Sequence, residues 1–238
     1  LAALTGNPII LALDVESAAQ ALALESQLGP HIHFYKIGLE LFIAEGPALV
    51  REFKARGRKV FLDLKLHDIG ETVRRAVGRA RDLEVDLLTV HATGQVMRAA
   101  VEANGKSAYG ESTLRLLGVT VLTSLGEEDL ETDGYPLGTS IASLVEKRVR
   151  TGLEARIDGF VCSALEVSRV RQLTGPAAIL VTPGVRSPGA SAGDQKRVAT
   201  PAEAIAAGAT YLVIGRQITR AADPALAAQL VLSEIFEA

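Results

Sequence analysis

Asp63, Lys65 and Asp68 stand close together in the stretch Phe61-Leu-Asp63-Leu-Lys65-Leu-His67-Asp68-Ile69-Gly-Glu-Thr72. The stretch opens as a strand, because Val60, Phe61 and Leu62 are apolar and β-prone. Side chains alternate along a strand, so Asp63 and Lys65 leave one face while Leu62, Leu64 and Leu66 fill the other. Packing alone gives no reason for two opposite charges at the end of one face. Asp14 and Lys36, near the ends of two earlier apolar runs, extend the set to three aspartates and two lysines. In a pocket of low dielectric such a group survives only if the signs alternate, each charge holding its neighbour ionised. The arrangement reads as a catalytic charge cluster. Two blander readings compete with it. Asp63 and Lys65 can form a structural ion pair, and Asp68-x-x-Glu71 has the pattern of a helix capping box.

Those side chains converge only if the elements carrying them do. Apolar runs of strand length recur at about 9–15, 34–39, 59–65, 87–92, 116–122, 159–163, 178–182 and 211–215. Several are nearly continuous in apolar residues, as strands buried on both faces should be. Stretches of helical spacing follow most of them, at about 17–28, 40–56, 68–83, 94–104, 139–156, 164–173 and 224–236. Eight such units without a break in composition predict a single domain over 1–238, an α/β fold of the (β/α)8 TIM-barrel type. A doubly wound open sheet is the competing architecture. The barrel is preferred because polar residues end at least six of the runs: Asp14, Lys36, Asp63 with Lys65, His91, Thr123 and Arg216. A barrel gathers those ends round one mouth, whereas an open sheet spreads them along a line.

Composition excludes several classes. The net charge of -3 offers no electrostatic footprint for nucleic acid. No apolar run is long enough to span a bilayer and no signal-peptide pattern opens the chain, so no membrane partner is expected. The lone Cys162 forbids an internal disulfide and suits a reducing cytoplasm. There is no dinucleotide fingerprint, no P-loop and no Cys/His cluster spaced for a metal, so neither cofactor nor metal is expected.

A phosphate site is the second candidate. Gly215-Arg216 follows the eighth run, and barrels often hold a phosphate at the loops after strands seven and eight. Gly215 lets the backbone approach, and Arg216 offers a bidentate fork. The long connection from Pro183 to Arg197 is rich in Gly, Ser and Pro, and its place on the catalytic face marks it as a lid. Arg186 and Gln195 on it can close over the same group. Thr123 and Ser124 can hydrogen-bond a polar ring or cap a turn. His91 reads equally as a ligand contact or a core histidine, and Cys162 as a small buried hydrophobe.

Taken together, the residues say more than their spacing. Asp63-Leu-Lys65-Leu-His67-Asp68-Ile69-Gly-Glu-Thr72 resembles the D-x-K-x-x-D-I-x-x-T signature of the orotidine 5′-phosphate decarboxylase family. Leu11-Ala-Leu-Asp14, Lys36-Ile-Gly38, Val119-Thr-Val-Leu-Thr123-Ser124 and Val161-Cys-Ser-Ala164 resemble its first, second, fifth and sixth strands. Thr182-Pro183-Gly-Val-Arg186, Gly193-Asp-Gln195 and Gly215-Arg216 resemble its phosphate loop and phosphate arginine. Two departures are Gly70, where proline is common in the family, and Gln95, where a second glycine is more usual.

The resemblance implies cofactor-free decarboxylation of orotidine 5′-monophosphate to UMP by a cytoplasmic homodimer with shared active sites. Asp68, Ile69 and Thr72 would complete the neighbouring site. Lys65 would stabilise and protonate the C6 carbanion, with Asp63 beside the substrate carboxylate and Lys36 in support. Asp14 and Lys36 would meet the ribose, and Thr123 or Ser124 the pyrimidine. Magnesium-dependent sugar-phosphate decarboxylases and aldolases are the nearest rival. They use an acidic residue on the second strand, where this chain has Lys36. A non-catalytic barrel binding a phosphorylated ligand is the other rival; it would not need Asp63, Lys65 and Asp68 together.

Overall fold

The structure is a computed structural model that describes residues 6–105, 112–188 and 199–237. Its strands are β1 (Ile9–Ala12), β2 (Phe34–Gly38), β3 (Lys59–Leu66), β4 (Leu87–His91), β5 (Arg115–Val119), β6 (Gly159–Val161), β7 (Ile179–Pro183) and β8 (Tyr211–Ile214). All pair in parallel and in chain order, and β8 closes on β1. The larger helices are α1 (Ala18–Leu28), α2 (Leu39–Ala55), α3 (Gly70–Asp82), α4 (Gly94–Asn104), α6 (Ile141–Ala155), α7 (Val167–Thr174) and α10 (Pro224–Phe236). Three short ones complete the set: α5 (Glu127–Thr132), α8 (Pro201–Ala206) and α9 (Arg216–Thr219). This is the (β/α)8 barrel expected, not the open sheet.

Period-two alternation divides the core. Ile10, Phe34, Phe61, Leu87, Leu117 and Val213 point inward and fill the barrel. Their neighbours, such as Leu11, Leu62 and Leu88, point outward and pack beneath the helices. Strands lined on both faces explain the continuous apolar runs.

Several elements are shorter than the sequence predicts. The fifth run stops at Val119 because its neighbour β6 is only three residues long and Val119 pairs with its last residue. Thr120 still holds the end of β6, its N–H and hydroxyl both donating to Val161 O, and Val121 and Leu122 then line the mouth beside Thr123. The three short helices carry too few turns to show a period. α8 does carry a local signal: the Thr200 hydroxyl accepts from Glu203 N, Glu203 accepts from Thr200 N, and Pro201 begins the helix. α2 is bent at Gly46, whose φ of 63° suits a glycine, and Pro47 starts its second segment.

The end of the barrel away from the mouth is riveted by Arg171. Its guanidinium donates to the carbonyls of Gly175 (2.8 Å), Ala178 (2.7 Å) and Gly208 (2.7 Å) and to the Thr210 hydroxyl (3.1 Å). One side chain thereby ties the end of α7 to the segments entering β7 and β8. Arg171→Ala is expected to cost roughly 2–4 kcal/mol of stability, since these carbonyls lose a charged donor together. A denaturant midpoint equal to wild type would show the rivet to be idle.

Candidate active site

The mouth of the barrel gathers the predicted charges into an alternating chain. The Lys36 ammonium on β2 lies 3.2 Å from Asp14, just past β1, and 3.8 Å from Asp63 on β3. The Lys65 ammonium lies 2.9 Å from the same Asp63 oxygen. The order across the mouth is Asp14, Lys36, Asp63, Lys65. Side-chain exposure is 11% for Lys36 and 12% for Asp63, against 30% for Lys65 and 57% for Asp14. The inner pair is thus the one that most needs its partners. Losing one member of a buried pair costs about 3–5 kcal/mol, because the other is left uncompensated.

Lys65 reaches Asp63 by an irregular route. Its φ is 49°, the left-handed region that side chains with a Cβ avoid. Such a residue costs on the order of 1–3 kcal/mol. The β3–β4 register shifts between Leu62 and Leu66. The simple alternation expected for Asp63 and Lys65 therefore gives way to a bulge. Bulges beside active sites commonly re-aim a side chain.

Two cavities meet at Lys36, Asp63 and Lys65. One, about 220 Å³, extends past Asp14 towards Gly38 and Glu40 at the head of α2. The other, about 150 Å³, has an apolar wall that includes Phe61, Val119, Val161 and Val213, with Thr123 and Pro183 also on its lining. The charge chain thus divides a polar chamber from an apolar one.

The remaining predicted residues fall into three groups. Gly215 joins the mouth: a Cβ there would come within 3.4 Å of an Asp14 oxygen and 3.3 Å of Ala12. Arg216 follows it as the first residue of α9. Asp68, Ile69 and Thr72 form a second, exposed group on the β3–α3 turn and the start of α3. Ser124 is exposed next to Thr123. Gln195 and most of the long connection lie outside the described residues. The described ends of that connection are tied at the base. Arg186 N–H donates to Ala199 O at 3.0 Å. Gln217 accepts from Ser187 N (3.1 Å) and donates to the Ser187 hydroxyl (2.6 Å).

The capping-box reading of Asp68 is corrected. The cap position of α3 is Ile69, with no side-chain cap bond. Asp68 accepts instead from the adjoining Ile69 N–H at 2.6 Å. Glu71 is drawn to Arg74 and Arg75 rather than back to the cap. Gly70 is the first residue of α3, a place where proline is also at home. Cys162 is buried, as expected of a small hydrophobe.

Sequence patterning passes over Thr89, a polar residue inside the apolar run Leu87-Leu-Thr89-Val-His91 and fully buried. It also misses the pairing of His91 with His67, whose ring centroids lie 5.1 Å apart. Burial first, then the nearby His67, Arg148 and Lys65, hold the His91 imidazole below its ordinary range. Unfolding returns it to about 6.5. The unfolded chain then binds a proton that the folded chain refuses, so stability is lost as pH falls below about 6.5. His91→Gln should flatten that acid limb in denaturant titrations at a series of pH values. An unaltered limb would show that His91 does not set it.

The family model described as orotidine 5′-phosphate decarboxylase / HUMPS family matches residues 7–231. An orotidine 5′-phosphate decarboxylase of Rhodopseudomonas palustris (strain HaA2) is 50% identical over 97% of this chain and 95% of its own length. One from Methylobacterium sp. (strain 4-46) is 51% identical over 97% of this chain and 96% of its own. Among solved structures, orotidine 5′-phosphate decarboxylase from Lactobacillus acidophilus superposes with a TM-score of 0.83 at 33% identity, covering 97% of this chain and 99% of that one. With the family model spanning nearly the whole barrel and half of all residues shared with curated relatives, this chain belongs to the orotidine 5′-phosphate decarboxylase / HUMPS family.

Proposed function

We propose that the chain decarboxylates orotidine 5′-monophosphate to UMP, using its own side chains and no cofactor, as a homodimer whose partners complete each other's sites. The observation that carries this reading is the alternating chain Asp14–Lys36–Asp63–Lys65 at the mouth of a family barrel.

Loss of CO2 from C6 of the pyrimidine breaks the C–C bond and leaves its electron pair on C6. That vinyl carbanion lies in the ring plane, and no ring orbital delocalises it. Positive charge already in place is what lowers such a barrier. The Lys65 ammonium supplies that charge and then gives its proton to C6 as general acid. Asp63 stands beside the substrate carboxylate, and the apolar wall of the smaller cavity receives the departing neutral CO2. Lys36 pairs with Asp63 and, with Asp14, meets the ribose hydroxyls. Thr123 or Ser124 reads the pyrimidine, with Pro183 against it. Arg216, Gly215, Arg186 and Gln195 take the phosphate, whose binding energy is available to exclude water at the distant C6.

The shared-site reading is supported by the exposure of Asp68 and by exposed apolar residues: Ile69 at 68%, Ile43 at 79% and Leu39 at 51%. Lys36 argues against the magnesium-dependent alternative, because its ammonium occupies the space between Asp14 and Asp63 where a divalent ion would bind. The test is a spectrophotometric assay of the purified protein with orotidine 5′-monophosphate in chelator. Loss of the orotate chromophore is the expected result. No loss with folded protein would overturn the reading.

A further inference from the structure

We propose that Thr89 is a positioning residue whose single hydroxyl fixes both the Asp63 carboxylate and the backbone of Lys65. The Thr89 hydroxyl oxygen accepts from Lys65 N–H at 2.9 Å and its proton goes to Asp63 Oδ1 at 2.9 Å. The second Asp63 oxygen takes the Lys65 ammonium at 2.9 Å. The result is a closed ring of three hydrogen bonds through two residues of β3 and one of β4.

The direction of each bond is determined. A hydroxyl has one proton, and an amide N–H can only donate. Thr89 therefore accepts from Lys65 and has its own proton free for Asp63. β-Branching restricts the Thr89 side chain to few rotamers. Thr89 is 0% exposed, so its hydroxyl is shielded from bulk solvent.

The bulge explains why a side chain is needed there. Leu62 pairs with Leu88 and Leu66 with Val90, so the ladder slips between them. In a regular ladder the odd-numbered residues of β3 face β2, as Lys59 N–H does in donating to His33 O, so the Lys65 N–H would point away from β4. With φ at 49° it meets the Thr89 hydroxyl instead. A buried N–H left unpaired would be costly. Thr89 thus makes the unusual backbone of Lys65 tenable and aims its partner carboxylate in the same act.

The kinetic consequence rests on the decarboxylase reading; the geometric one does not. Thr89→Val keeps the shape and removes the hydroxyl, whereas Thr89→Ser keeps the hydroxyl. In assays with orotidine 5′-monophosphate, Thr89→Val is expected to lower kcat by about 10- to 100-fold, as a small misplacement of reacting groups does, with KM within about threefold of wild type. Hydrogen exchange at the Lys65 amide should be at least about tenfold faster in Thr89→Val. Thr89→Ser should restore both. If Thr89→Val does not fold, Thr89→Ala carries the same readings. A wild-type kcat with a protected Lys65 amide in the hydroxyl-free variant would overturn the proposal, as would failure of serine to restore either reading. If the wild-type protein leaves orotidine 5′-monophosphate intact, the decarboxylase reading fails alone. Amide exchange at Lys65 then still decides the role of Thr89.

Discussion

Lys65→Ala should abolish measurable turnover, lowering kcat by roughly 10⁴- to 10⁷-fold. That figure joins about 10²–10³ for a lost preorganised charge to about 10²–10⁴ for a lost general acid. The two losses fall on one residue because the ammonium that stabilises the carbanion also holds the proton that quenches it. Substrate affinity should change far less, since the phosphate and ribose contacts assigned to Arg216, Asp14 and Lys36 remain. The fold should survive, because Lys65 is 30% exposed and Lys36 still faces Asp63 at 3.8 Å. The measurement is the decay of the orotate chromophore with wild type and variant at matched concentration, beside equilibrium binding of UMP. A variant that keeps even a hundredth of the wild-type rate would remove Lys65 from the central role.

Mixing two inactive variants should regenerate activity. The reading places Lys65 of one protomer and the partner's Asp68 in the same site. Lys65→Ala and Asp68→Ala homodimers each carry two defective sites. A heterodimer of the two concentrates both changes in one site and leaves the other native. Random re-association of equal amounts makes half the dimers mixed, so about one quarter of wild-type activity should appear. If Asp68 served its own chain, every site in every combination would stay defective and mixing would restore nothing. The experiment therefore tests the dimer and the shared site in one readout.

Much of this architecture was legible in the residues. Eight apolar runs ending in polar residues predicted the barrel, because continuous apolar strands with a convergent mouth fit few architectures besides a closed one. The charge chain was legible for the same reason: lysines and aspartates are seldom placed at the ends of buried strands without a use. What stayed hidden was local and conformational. Nothing in Asp63-Leu-Lys65 announces a left-handed lysine, since the strain is imposed by register with β4 and not by composition. Thr89 was hidden inside an apolar run, where threonine reads as an ordinary β-branched strand residue. Its signal was there, as a buried hydroxyl needs partners, but naming them requires the three-dimensional neighbour. Asp68 misled by matching a helix-start pattern whose geometry the chain does not adopt. The short α5 and α9 lie below the length at which periodicity can speak.

The left-handed backbone of Lys65 bears on how this position evolves. Glycine and asparagine adopt that conformation more readily than lysine, so selection for folding alone would draw position 65 towards them. Selection for turnover would hold lysine there against that pull. A library randomised at this one codon and sorted twice, for soluble expression and for pyrimidine prototrophy, should therefore settle on different residues. The divergence itself would mark the position as functional without any knowledge of the chemistry. It is a case where conformational preference and catalytic demand oppose each other at a single residue.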